Sequence, residues 1–303
     1  MKKKIIILGA GPIGLVTGWL LSKNGWQVEI YEKNSTVGGM CRSWKWKDFI
    51  LDTGPHIFHT PDKKLWNFWQ KNFGHLLVEG NYWAKNTYDD DFNTLYDYPL
   101  SFQSIKKFPI EKRSKIYSEL NQLKKKDNKR SKNFDEHVKS QVGETLSKMF
   151  FTNYPLKIWG IDTKKMTAEW APKRIKFREK ILPFFSGEYT AVGKYGTGSV
   201  YEFIKKKIIK NGGKIYLNYH VTGLKHKNFE INEVNFLNKK NKILKKDEII
   251  ISSLPITLTA RLLGFKSNLK FRGVRTVYIS ADKKEILPKK CHWIYYSSKK
   301  IIF

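Results

Sequence analysis

The run Ile5-Ile6-Ile7-Leu8 leads directly into Gly9-Ala10-Gly11-Pro12-Ile13-Gly14. A short β-branched stretch of this kind suits a strand buried on both faces of a parallel sheet. In the glycine pattern that follows, the first glycine permits a tight turn, the second lets backbone approach a pyrophosphate, and the third lets a helix pack closely on the strand. The free N–H groups of that helix would then face the phosphates. Gly18, Leu21 and Gly25 continue and end the helix, and Val28-Glu29-Ile30-Tyr31 reads as a second strand. Glu32 lies 18 residues beyond Gly14, where an acid accepts a hydrogen bond from a ribose 2′-hydroxyl. The same opening, preceded by Lys2-Lys3-Lys4, has the basic start and apolar core of a secretory signal. It lacks a small-residue cleavage site, since Leu20-Leu21 runs into Ser22-Lys23-Asn24, and glycines interrupt its apolar run. The dinucleotide reading therefore takes precedence.

Val37-Gly38-Gly39-Met40-Cys41-Arg42-Ser43 follows the acid. It resembles the second glycine motif of the two-dinucleotide-binding-domain flavoproteins, and the resemblance implies FAD as cofactor, with Gly38, Gly39 and Arg42 against its phosphates and flavin. In that superfamily a valine in a later strand contacts the adenine through its backbone, and Val221 matches it. Residues expected to line the cofactor are Gly9, Gly11, Pro12, Ile13, Gly14, Glu32, Lys33, Gly38, Gly39, Met40, Arg42, Gly54, Pro55, His56 and Val221.

The chain has 303 residues, 41% of them hydrophobic and 15% aromatic, enough for a folded core and against a disordered chain. No run approaches the roughly 18 apolar residues of a membrane-spanning helix, so a soluble, cytoplasmic protein is expected. Two cysteines, Cys41 and Cys291, are too few for a disulfide framework. The net charge of +30 invites a nucleic-acid reading, but only eight of the 57 basic residues are arginine and the lysines are scattered. A nucleic-acid partner is therefore not expected, and a homodimer is left open. The arginines gain interest in such a chain, because their planar fork suits phosphate. Arg174 with Arg178 and Arg272 with Arg275 form close pairs.

Thr60-Pro61 reads as the cap and first residue of a helix carrying Leu65, Phe68, Trp69 and Phe73. Helical spacing then links Ile116, Leu120 and Leu123, and again Val138, Val142, Leu146 and Met149, with a loop at 129–133. Ser199-Val200-Tyr201-Glu202 fits a capping box. Strands are expected over 214–221 and 247–252, with a hairpin of 229–231 against 234–236.

His56 and His59 are spaced for a metal pair, but no third ligand is near, and no metal is expected. The stretch Gly54-Pro55-His56-Ile57-Phe58-His59-Thr60 resembles a segment of the UDP-galactopyranose mutases that lies beside the flavin. Tyr96-Asp97-Tyr98-Pro99-Leu100, Val142-Gly143-Glu144, Tyr154 to Gly160 and Lys173-Arg174-Ile175 match further motifs of that family in order. The resemblance implies flavin-dependent interconversion of pyranose and furanose nucleotide-sugars in surface polysaccharide synthesis. It places Tyr154 and Trp159 at the uridine and Arg174 at the diphosphate; Arg272 is a further candidate for the substrate. The flavin itself is the expected chemical centre, and His56, His59 and Arg174 are the candidate catalytic residues. The wider protoporphyrinogen-oxidase and amine-oxidase group shares the glycine motifs and is the alternative, and a non-catalytic FAD-binding protein is a third. The neighbourhoods Trp170-Ala171-Pro172 and Phe271-Arg272-Gly273-Val274 depart from the mutase pattern.

The expected fold class is α/β. A Rossmann-like FAD-binding domain, with a parallel sheet and a G-x-G-x-x-G turn, occupies 1–75 and 191–264, interrupted by a mainly helical substrate region at 76–190. The start of substrate-domain strands is placed at 265–303. The chain ends on the apolar run Ile301-Ile302-Phe303 with no closing glycine motif, so the C-terminal part of the FAD domain is expected to be missing.

Overall fold

The computed structural model describes residues 3–88, 91–123, 131–170, 175 and 177–301. In chain order β1 (Lys4–Leu8), α1 (Pro12–Lys23) and β2 (Gln27–Tyr31) are followed by the hairpin β3 (Ser43–Trp46) and β4 (Phe49–Asp52). Next come β5 (Phe58–Thr60), α2 (Lys63–Phe73), β6 (Leu77–Glu79), β7 (Ala84–Tyr88) and β8 (Asp91–Tyr98). The helices α3 (Phe102–Ile105), α4 (Ile110–Leu123), α5 (Phe134–Leu146) and α6 (Asn153–Trp159) lead to β9 (Tyr189–Gly193) and α7 (Gly198–Lys210). The remainder is β10 (Lys214–Tyr216), β11 (Val221–Lys227), β12 (Glu230–Phe236), β13 (Lys242–Ile243), β14 (Glu248–Ser252), α8 (Ile256–Leu262) and β15 (Trp293–Tyr296). Two units result: Met1–Gly80 with Tyr189–Tyr278, and Asn81–Glu188 with Ile279–Phe303.

The first unit is organised by β1. It pairs in parallel with β2 on one side and β14 on the other, and β2 pairs in parallel with β10, giving the order β10-β2-β1-β14. Side chains alternate across a strand, and here both faces are apolar. Ile5 and Ile7 join Leu15 and Trp19 of α1, Trp66 and Phe73 of α2 and Ile204 of α7 in one core. Ile6 and Leu8 join Val221, Leu224, Val234 and Phe236 on the other face, from the β11–β12 hairpin. Two-sided burial explains why β1 contains no polar residue after Lys4, whose ammonium pairs with Glu29 and Glu248 at 3.0 Å each on the neighbouring strands.

Several local expectations shift. The helix after Thr60-Pro61 begins at Lys63, because Asp62, not Thr60, accepts hydrogen bonds from the N–H groups of Lys64 and Leu65. The capping box at Ser199 does not form. Thr197 precedes α7, Ser199 donates to the Gly196 carbonyl, and Glu202 pairs with Lys205. The strand expected over 214–221 divides at Asn218, which takes a positive φ of 60°, and β11 starts only at Val221. The hairpin turn lies at Asn228-Phe229, both at positive φ, so Phe229 is in the turn and the two expected arms, 230–231 and 234–236, belong to one strand rather than two.

In the second unit the helical stripes occupy the core as expected: Ile116, Leu120, Val138, Val142, Leu146 and Met149 pack with Tyr96, Phe108 and Phe150. The region also carries the sheet β15-β7-β8, with β15 parallel and β8 antiparallel to β7. Helix α5 breaks at Gly143, where φ is 85° and ψ is 171°. A Cβ at Gly143 would lie 2.6 Å from Glu119 Oε2, and that carboxylate accepts from Thr145 N at 2.8 Å and Thr145 Oγ1 at 2.7 Å. Val142-Gly143-Glu144 is thus a helix break closed by a carboxylate from α4.

Asp97 sits between Lys85, with which it pairs closely, and Lys107 at 3.0 Å. Burial works to raise its carboxyl, but the hydrogen bonds from Lys85 and Lys107 outweigh burial and hold it below the ordinary carboxylate value. A depressed native value stabilises the fold above the unfolded value near pH 4, and that contribution disappears as pH falls through the native value. Thermal unfolding from pH 7 down to pH 2 should therefore show an acid-dependent loss that Asp97→Asn reduces. At pH 7 the same substitution should cost on the order of 1.5–3 kcal/mol, the range for hydrogen bonds to charged groups.

Candidate nucleotide-binding site

The turn after β1 is shaped by what glycine lacks. Gly9 has φ +96°, and its N–H donates to the Tyr31 carbonyl at 2.8 Å, which sets the turn against the end of β2. A Cβ at Gly14 would lie 2.0 Å from the Gly9 carbonyl oxygen, so α1 can approach the turn only with glycine there. Gly18 repeats the device one turn later, where a Cβ would meet Ile30 Cδ1 at 2.7 Å. Gly11 differs from all three. Its φ of −73° suits any residue, and a Cβ there would meet nothing within 4 Å. The absence of a side chain at Gly11 serves no contact in the chain itself and leaves clear the space at the N-terminus of α1, where a pyrophosphate would lie.

The second glycine motif closes on the first. Gly38 N–H donates to the Ala10 carbonyl at 2.8 Å, and a Cβ on Gly39 would approach Gly11 Cα to 3.0 Å. Gly38 and Gly39 both take positive φ, 101° and 55°. Glu32, only 5% exposed, accepts from Ala10 N–H at 2.8 Å through Oε2. Glycine loop, acid and second motif are therefore one hydrogen-bonded assembly. Beside it Ile13 and Met40 are 71% and 66% exposed, while Lys33 points to solvent and Pro12 opens α1. Val221 is buried at the start of β11.

A polar node that spacing does not reveal fixes the strand after Arg42. The Asp52 carboxylate accepts from Ser43 Oγ, from Thr197 Oγ1 at 2.6 Å and from Thr197 N–H at 3.1 Å. Ser43 Oγ in turn accepts from Gly198 N–H at 2.7 Å. Thr53 donates both N–H and Oγ1 to the Arg42 carbonyl, at 3.3 and 3.2 Å. The charge on Asp52 thereby faces the N-terminus of α7, where a carboxylate is favourable.

Gly54 has open space where a Cβ would be, Pro55 is exposed, and His56 is half-buried. His56 Nδ1 is one of three buried side-chain atoms among the described residues without a hydrogen-bond partner. Buried polar atoms are ordinarily satisfied, and His56 Nδ1 is an exception among the described residues. His59 is exposed at the rim of a cavity of about 260 Å³ that Phe58, Leu65, Trp66 and Trp69 also line. Among the described residues no cluster of His, Cys, Asp and Glu could hold a metal.

The substrate candidates fall in both units. Tyr154 and Trp159 lie on α6 of the second unit, both half-buried. Burial pushes the Tyr154 hydroxyl up to about 12, and its ring meets Tyr295 edge-on at 5.2 Å. Between them Lys157 Nζ donates to the carbonyls of Tyr296, Ser298 and Ile301 at 2.6, 2.9 and 2.7 Å, tying α6 to β15 and the residues after it. Arg178 donates to the carbonyls of Pro183 and Phe184 at 2.9 and 3.2 Å, so its fork shapes a loop. Arg272 is exposed in the first unit, in a segment without regular structure. Arg174 lies outside the described residues.

A family model described as an NAD(P)-binding Rossmann-like domain matches residues 7–71, from β1 into α2. A crystal structure of reduced UDP-galactopyranose mutase superposes with a TM-score of 0.70 over 88% of this chain and 58% of that one, at 21% identity. The chain has that protein's fold. A dTDP-fucopyranose mutase of Escherichia coli is 30% identical over 174 residues, 54% of this chain and 44% of the relative. A probable UDP-galactopyranose mutase of Klebsiella pneumoniae is 26% identical over 218 residues, 67% of this chain and 53% of the relative. The chain thus spans about half the length of the curated relatives it matches.

Two glycines make opposite predictions. Gly14→Ala should destabilise the protein without any ligand, because its Cβ collides with backbone. Gly11→Ala should leave the unfolding temperature of the ligand-free protein within about a degree of wild type and weaken dinucleotide binding at least tenfold. Thermal unfolding with and without dinucleotide separates the two.

Proposed function

We propose that this protein is an FAD-dependent enzyme acting on a nucleotide-sugar, interconverting the pyranose and furanose forms of its sugar ring. The observation that carries the reading is the closure of the second glycine motif on the first, Gly39 against Gly11, in a chain whose relatives over 218 residues include a probable UDP-galactopyranose mutase. A single G-x-G-x-x-G turn serves many dinucleotides, whereas the added Gly38-Gly39-x-x-Arg42 element fits a flavin dinucleotide. The space left at Gly11 and the unpartnered Nδ1 of His56 fit such a group as well.

In this reading the N–H groups at the start of α1 hold the cofactor's pyrophosphate, Glu32 takes a ribose hydroxyl, and Arg42 lies toward the flavin end. The flavin, when bound and reduced, supplies the electron-rich centre for chemistry at the sugar's anomeric carbon. The chain's own residues position and neutralise. Tyr154 stays protonated at neutral pH and offers a hydroxyl donor and a ring face to the nucleoside, with Trp159 five residues further along α6. Arg174 offers a forked donor to the diphosphate, whose charge grows as the sugar departs, and Arg272 is a further candidate for the substrate. A cytoplasmic location and a place in the synthesis of surface polysaccharide go with a nucleotide-sugar substrate. A homodimer is compatible with this reading and no part of it depends on one.

Turnover of UDP-galactopyranose or dTDP-fucopyranose should require prior chemical reduction of the flavin and consume no net electrons. Oxygen uptake with an amine or a porphyrinogen, and no ring isomerisation, would establish the oxidase alternative instead. Flavin retained without turnover of any of these would point to the non-catalytic one. Arg174→Ala should weaken nucleotide-sugar affinity about tenfold or more, as loss of a charge-assisted phosphate contact of roughly 1.5–3 kcal/mol implies, while FAD affinity stays within twofold. Equal affinity of the variant and wild type for the nucleotide-sugar, measured by titration calorimetry, would remove Arg174 from the site.

A further inference from the structure

Glu32 is already heavily engaged before any ligand is considered. Oε2 accepts from Ala10 N–H at 2.8 Å, while Oε1 accepts both from Asn34 N–H at 2.9 Å and from Asn34 Nδ2 at 2.7 Å. A carboxylate has about four acceptor directions. These contacts fill both directions on Oε1 and one on Oε2, which leaves a single direction for a ligand. Asn34 is itself held, because Asn218 N–H donates to its carbonyl at 3.1 Å, with Asn218 at a φ of 60°. On either side of it Glu32 N–H donates to the Tyr216 carbonyl at 2.9 Å and Tyr219 N–H donates to the Glu32 carbonyl at 2.8 Å. The segment from Tyr216 to Tyr219 is stitched to residues 32–34, and the amide of Asn34 fixes the rotation of the carboxylate at the centre.

We propose that Asn34 is a positioning residue that holds the buried Glu32 carboxylate with one acceptor direction open, so that the site reads a single ribose hydroxyl, the adenosine 2′-hydroxyl, of its dinucleotide. Without the Nδ2 donor, Oε1 regains a free direction and the carboxylate can turn, so the geometry offered to the hydroxyl is no longer set. The backbone bond from Asn34 N–H survives any substitution at that position, so the side chain's part can be removed alone. This inference rests on the flavin reading, and its test separates the two.

The test measures equilibrium binding of FAD and of its 2′-deoxyadenosine analogue to the wild type, Asn34→Ala and Asn34→Asp. The wild type should prefer FAD by about tenfold, as expected of one hydrogen bond to a charged group. Asn34→Ala should reduce that preference to about twofold or less by weakening FAD and leaving the analogue nearly unchanged. Asn34→Asp keeps the shape, removes the donor and sets a like charge against Glu32, so it too should lose the preference and bind FAD more weakly than Asn34→Ala. A merely structural role would weaken both ligands by the same factor in both variants, and that result overturns the proposal. A wild type that binds FAD and the analogue equally also overturns it while leaving the flavin reading intact. A wild type that binds neither overturns the flavin reading and this inference together.

Discussion

The contact on which the rest of the structure depends is the one between Gly14 and the carbonyl of Gly9, where a Cβ would stand 2.0 Å from the oxygen. Only because that Cβ is missing can α1 start directly above the end of β1 and aim its free N–H groups into the space left by Gly11. Everything around the turn is built to hold it in place. β1 has parallel neighbours on both sides and apolar cores on both faces, so it cannot shift by one residue without exchanging one buried face for the other. The Glu32 carboxylate and the Gly38 N–H then secure the turn from the side, through the N–H and the carbonyl of Ala10 respectively.

The node at Asp52 does for the second glycine motif what β1 does for the first. Ser43 on β3, Asp52 on β4 and Thr197 just before α7 are far apart in sequence, and their hydrogen bonds anchor the strand that follows Arg42 to the N-terminus of α7. A Cβ at Gly198 would meet Ser43 N at 2.4 Å, so this approach also depends on an absent side chain. The site is thus assembled by backbone proximity, with acidic side chains placed where the backbone leaves N–H groups without partners. That arrangement fixes the cradle without drawing on lysine, although lysine dominates the composition.

How much of this was legible in the sequence depended on whether the determining contacts were local. The β1-turn-α1-β2 unit was readable because strand, turn and helix are contiguous and each has its own residue signature. The core stripe of α4 and α5 was readable from helical spacing. The Asp52 node was not, since residues 43, 52 and 197 have no spacing relation. Cap residues mislead where two compete: Thr60 and Asp62 both have a capping oxygen, and it is the Asp62 carboxylate that reaches the N–H groups of Lys64 and Leu65. Ser199-x-x-Glu202 has the letters of a capping box, but the close approach of Gly196 and Gly198 to Ser43 starts the helix earlier and places Ser199 inside it. The strands β7 and β8 are hard to see in the sequence because their polar residues Asn86, Thr87 and Asp97 are buried, so no alternating apolar face marks them; Asn86 accepts from Ser297, and Asp97 pairs with Lys85 and Lys107. Residue type alone pairs Arg178 with phosphate-reading arginines, and its engagement with the carbonyls of Pro183 and Phe184 is visible only in three dimensions.

The central claim is that the two closed glycine motifs make a flavin-dinucleotide site and not a nicotinamide one, although the matching family model describes an NAD(P)-binding domain. Equilibrium dialysis of the protein against FAD, with NAD and NADP as competitors, tests this most directly. The account predicts one FAD retained per chain, undisturbed by either nicotinamide dinucleotide at a hundredfold excess. Displacement of FAD by NAD or NADP, or saturable binding of either without any binding of FAD, would contradict it.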